Sequence, residues 1–119
     1  MLHDFVPGDF LIFQLESGFA ILRVLDVEEM DGDSLWHVAA YKDFFLDADS
    51  VDAALEDPSV LGLERSHIAL TNHAFESTQV ARMRNVALTA DDLAGYEAWK
   101  RSEDKTIYDR SIRLVLGLR

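Results

Sequence analysis

The chain has 119 residues, 49% of them apolar, no cysteine, and a formal net charge of -11 at pH 7. That length suits one compact domain that buries about two thirds of its unfolded surface, and the apolar content excludes the low-hydrophobicity composition of intrinsically disordered chains. The lack of cysteine excludes disulfides, thiolate zinc sites, iron–sulfur clusters and thiol nucleophiles.

The charge is unevenly placed. Residues 1–64 carry fifteen Asp and Glu against one Arg and one Lys, a net of -13, whereas residues 65–119 carry seven against nine, a net of +2. A negative first half repels phosphate backbones and attracts basic partners over a Debye length of about 8 Å at physiological ionic strength. The opening Met1-Leu2-His3-Asp4-Phe5 has neither a basic n-region nor an apolar h-region, and no run approaches the ~20 apolar residues of a spanning helix. A cytoplasmic protein without membrane contact is the expectation.

In chain order, Pro7-Gly8-Asp9 reads as a turn that opens a mostly buried strand over 10–15. Glu16-Ser17-Gly18 makes a short turn into a second strand over 19–27. The Asp31-Gly32 pair, favoured in hairpin turns, leads to a third strand over 35–41. Asp47 to Ser50 then offer N-caps, with Asp49 or Ser50 preferred, for a short helix over 51–56 stopped by Asp57-Pro58. Residues 67–71 read as a fourth strand, while 75–88 fit helical and extended spacing equally. Thr89 with Asp92 three residues on resembles a capping box for an amphipathic helix over 90–102, whose inner face is Leu93, Tyr96, Trp99 and the stem of Lys100. Alternation at Ile112, Leu114, Leu116 and Leu118 predicts a closing strand.

These elements describe a single α+β domain over 1–119 built on a small, strongly bent antiparallel sheet, with one short helix and a C-terminal amphipathic helix. An SH3-like half-open barrel is the preferred architecture; an open antiparallel sheet with helices on one face is the alternative. No repeat or linker marks an internal boundary.

Candidate chemistry is sparse. Of the four histidines, His3, His37, His67 and His73, only His67 and His73 lie close enough in sequence to be joined by Glu76 in a metal site, and their spacing matches no compact ligand motif. For every histidine the preferred reading is structural, a half-buried ring with one hydrogen bond. Ser66 and Ser77 lack a nucleophile elbow, and Asp47-x-Asp49-x-x-Asp52 lacks the glycine and terminal acid of a calcium loop. No two glycines form a phosphate-binding loop, so no cofactor is expected. The basic residues of the second half are read as an intramolecular complement to the acidic half or as an oligomer contact, not as a nucleic-acid surface. Phe44-Phe45, next to Asp43, Asp47 and Asp49, would make an aromatic edge suited to a partner with a basic rim.

The segments Gly8-Asp9-Phe10-Leu11-Ile12-Phe13 and Ser17-Gly18-Phe19-Ala20-Ile21-Leu22-Arg23-Val24-Leu25 resemble the first hairpin of bacterial SH3-like barrel families, which include immunity proteins that neutralise toxins. The likeness covers about a quarter of the chain and carries over no functional residue. Three readings follow in order. The first is a non-enzymatic acidic module that binds a basic protein through Glu28, Glu29, Asp31, Asp33, Asp43, Phe44, Phe45, Asp47 and Asp49. The second is a self-associating subunit, and the third a small metal-dependent hydrolase using His67, His73 and Glu76.

Overall fold

The computed structural model describes residues 4–118. Five antiparallel strands, β1 Asp9–Leu15, β2 Gly18–Met30, β3 Asp33–Phe45, β4 Leu63–Thr71 and β5 Val80–Asn85, form one open sheet in the order β4-β3-β2-β1-β5. Around it lie helices α1 Ala48–Ala54, α2 Asn72–Thr78, α3 Ala90–Arg101 and α4 Ile112–Leu116, with a 3₁₀ turn at Pro58–Val60.

The first three strands form the expected meander, and its turns show why. Asp31 (φ 54°) and Gly32 (φ 80°) both take positive φ, the backbone that a tight two-residue hairpin turn demands. At the other hairpin Leu15 pairs with Gly18, where a Cβ would run into the carbonyl of Phe45. The β2–β3 pairing shifts register between Ala20 and Leu22 and again between Val24 and Asp26. Such bulges bend and twist the ribbon.

Alternation then assigns the two faces. Leu11, Phe13, Leu22, Val24, Trp36, Val38, Ile68 and Leu70 form the main core, closed by Phe75 of α2 and Ile112 of α4. On the opposite face Phe10, Ile12 and Ile21 lie under Val51 of α1 and its C-cap Leu55, while Leu25 and Ala39 lie under Tyr96 of α3. Helices therefore cover both faces of the sheet, not one. The outer edge of β4 is met at its C-terminal end by Tyr108, whose N–H donates to Ala69 (2.9 Å) and whose carbonyl accepts from Thr71 (3.0 Å).

Two local expectations are corrected and one open stretch is resolved. The predicted closing strand is α4: Ile112, Val115 and Leu116 follow helical spacing, Leu114 is left 65% exposed, and Gly117 (φ 70°) ends the helix in the left-handed region. Helix α1 starts earlier than 51, because Asp47 rather than Asp49 or Ser50 is its N-cap and accepts the Ser50 N–H at 2.8 Å. The ambiguous stretch resolves into α2 followed by β5, the chain reversing at Gln79 (φ 58°). The capping box of α3 forms as expected, with Thr89 and Asp92 exchanging hydrogen bonds. Among the described residues no helix is long and apolar enough to cross a membrane.

Candidate functional site

The nine residues expected to form one partner surface fall into two groups. Glu28, Glu29, Asp31 and Asp33 flank the β2–β3 turn, whereas Asp43, Phe44, Phe45, Asp47 and Asp49 surround the far end of β3, a strand of 13 residues. An extended strand of that length spans about 40 Å, comparable with the longest molecular extent of 38 Å. The acids therefore make two patches.

At the turn, the carboxylates are used locally. Asp33 accepts from its neighbour Ser34, Glu29 accepts from the Ser34 hydroxyl at 3.4 Å, and Glu28 meets the ring of His37. At the far end Asp43 accepts the Gly62 N–H at 2.5 Å, and the hydrogen bonds from Ser50 hold the Asp47 carboxyl below the usual range. Phe45 is half-buried against the core cluster of Phe10 and Ile21 and so is not part of an exposed aromatic pair. Phe44 is 56% exposed and Leu46 84% exposed. Next to Phe44, a cavity of about 250 Å³ is lined by Tyr41, Lys42, Glu64, Leu116 and Leu118. Among the described residues none of Asp43, Asp47 and Asp49 is ion-paired with a Lys or Arg.

Two arginines of the second half complement acids of the first. Arg82 pairs with Asp4 and Asp9, and Arg84 with Asp52 at 2.8 Å. Arg113 instead donates to the carbonyls of Gln14 and Thr78.

A second constellation was not legible in the sequence. The strand alternation that sends Trp36 and Val38 into the main core turns His37 to the opposite face, beneath α3, where it is completely buried. The bulge between Val24 and Asp26 sets Asp26 opposite His37. His37 Nε2 lies 2.5 Å from Glu28 Oε1, and His37 Nδ1 lies 2.9 Å from His67 Nε2. An ionised Glu28 only accepts, so His37 carries its proton on Nε2, presents a bare Nδ1, and receives the Nε2–H of His67. The result is one directed chain, His67 to His37 to Glu28. His37 thus departs from the expected half-buried ring with a single bond.

Helix α3 closes this chain. The Tyr96 ring sits 4.3 Å and the Trp99 ring 4.9 Å, centroid to centroid, from the His37 ring, and the Tyr96 hydroxyl donates to Asp26 at 2.7 Å. Burial pushes the His37 pKa down against the opposing pull of Glu28, and burial together with the nearby His37 and Arg65 takes His67 down to about 4. Tyr96 is driven upward by burial and by Asp26. At the N-terminal end of α3, Arg23 is 4% exposed, pairs with Asp92 at 3.0 Å, and donates to the carbonyls of Val86 and Ala87. Beside it a cleft of about 510 Å³ is lined by Tyr41, Leu61, Ser66 and Asp91 among others.

The proposed metal trio is not assembled. His67 is engaged with His37, His73 stands exposed on α2, and Glu76 accepts from Asn72 at 2.6 Å. Among the described residues no three His, Asp or Glu side chains gather as ligands; His3 lies outside those residues. Chemically, the histidine chain can hold and pass a proton, while the facing nitrogens of its two rings are committed to each other. No protein-family model matches the chain, and no curated protein or solved structure matches it.

Proposed function

We propose that the chain is a non-enzymatic acidic interaction module, acting in the cytoplasm, that binds a basic partner protein at the Phe44 end of β3. The observation that carries this reading is the exposure of Phe44 and Leu46 beside Asp43, Asp47 and Asp49, acids without an intramolecular cation among the described residues. An apolar centre excludes water, and a rim of one sign selects and steers a partner of the other. The other acidic patch, Glu28 to Asp33, adds to the long-range field without belonging to the contact. The order β4-β3-β2-β1-β5 with two long, bulged central strands supports an SH3-like half-open barrel as the architecture. An immunity-type role, neutralising a basic toxin, is the specific form suggested by the resemblance of the first hairpin.

The test is capture from the source cell's lysate at low salt on immobilised protein, with stepwise salt elution. A basic protein released at moderate salt by the parent chain, and not retained by Asp43→Lys/Asp47→Lys or by Phe44→Ser, supports the proposal. Retention that ignores both salt and these substitutions overturns it.

Self-association is the second reading, favoured by the cavity that joins Phe44 to Leu116 and Leu118 and by the exposure of Leu114 on the same helix as Leu116. Sedimentation decides it: a monomer at millimolar concentration removes this alternative.

A further inference from the structure

The helices differ in what fastens them. Helix α2 buries Ala74, Phe75 and Thr78, and α1 buries Val51 with its C-cap Leu55. Helix α3, the longest, buries only Tyr96. Leu93 and Trp99 pack only partly buried against the Leu25 and Ala39 cluster, and the other ties to the sheet are polar or rest on ionisable rings: Asp92 on Arg23, Tyr96 on Asp26, and the rings of Tyr96 and Trp99 against those of His37 and His67. An element held in this way opens at a free energy below that of global unfolding.

The hydrogen-bonded chain sets how many protons the seam tolerates. One proton added to the outer nitrogen of His67 is accommodated, because the Nε2 proton passes to His37 and the charge then rests beside Glu28 with every bond kept. A second proton leaves an N–H on both nitrogens of the 2.9 Å contact, which turns a bond into a repulsion. The surrounding charges are Asp26 and Glu28 on β2, Arg65 near His67 on β4, and Glu97 and Lys100 on α3, with the Lys100 ammonium 4.6 Å from the centre of the Tyr96 ring. Acids on β2 therefore stabilise the first charge, and the cations around the rings oppose the second.

We propose that α3 is an acid-released cover: double protonation of the His37–His67 pair detaches it from the sheet while the core closed by α2 and α4 remains folded. Release uncovers Leu25 and Ala39, which α3 shields through Tyr96. Burial holds both rings below the ordinary imidazole range, which places the release in acidic solution below that range.

The chain's two tryptophans report the two regions separately. The Trp99 indole donates to Thr106 outside the sheet, and the Trp36 indole donates to Asn72 in the main core. In a proton–nitrogen correlation titration of the intact protein, the Trp99 indole signal moves to its unfolded position at a pH about one unit above that at which Trp36 does. His67→Gln keeps a donor for His37 but cannot be charged, and it moves the Trp99 midpoint down by about one unit. Glu28→Gln removes the anion that supports the first charge and moves it up. Coincident loss of the two indole signals overturns the proposal. So does a Trp99 midpoint that stays in place in whichever of the two variants folds.

Discussion

Gly95 and the histidine pair show how single positions govern the seam under α3. A Cβ on Gly95 would strike the hydroxyl of Ser66, so the helix lies on β4 at a distance only glycine permits. Gly95→Ala gains up to about 1 kcal/mol of helix propensity, yet overpacking of this kind costs about 1–3 kcal/mol. The expected outcome is a net loss near 1 kcal/mol in urea unfolding, and a stabilised variant would contradict the close approach. For His67 the sign follows from a folded pKa of about 4 lying below the unfolded value near 6.5. Between those values the unfolded chain binds the extra proton, so stability is complete above pH 6.5 and falls as the pH drops toward 4. The loss reaches about 2 kcal/mol after allowance for the ring's partial exposure, measurable as urea midpoints across that range.

At the scale of elements, Asp92 serves two structures at once, the capping box of α3 and the buried guanidinium of Arg23. Thr89→Ala should cost about 1 kcal/mol, the worth of one cap. Asp92→Asn also strands a cation that is 4% exposed, and should cost about 3 kcal/mol. Equal losses in the two variants would mean that the Arg23 pair is energetically idle. What the sequence disclosed at this scale was local. The Asp31-Gly32 turn and the Thr89–Asp92 cap are signals contained within four residues, and both are realised. Helix α4 hides behind a second pattern: Ile112, Leu114, Leu116 and Leu118 satisfy a period of two, while the helix that forms uses Ile112, Val115 and Leu116. The histidine chain was invisible because it depends on a bulge between Val24 and Asp26 and on which β4 residue meets β3, quantities fixed only by tertiary pairing. The division of the acidic residues into two patches is hidden for a similar reason: composition counts charges without the length of the strand that separates them.

For the molecule as a whole, the excess of -11 has two opposed consequences in salt. Screening relieves repulsion among the unpaired acids of the first half, so thermal stability should rise by a few degrees between about 10 and 200 mM salt. Attraction for the proposed basic partner should weaken over the same range, which separates the two effects in a single pair of titrations. A melting temperature that falls with added salt would show instead that the Arg82 and Arg84 pairs dominate the balance. The ends of the sheet bear on a different property. The Ala69–Thr71 end of its outer margin at β4 is occupied by Tyr108, and its margin at β5 is a strand of six residues that carries Arg82 and Arg84. Unguarded strand margins recruit further chains, whereas short, charged or occupied ones refuse them. Contacts between crowded copies are thereby biased toward side chains and away from shared backbone ladders, the mode of growth that an open sheet otherwise invites.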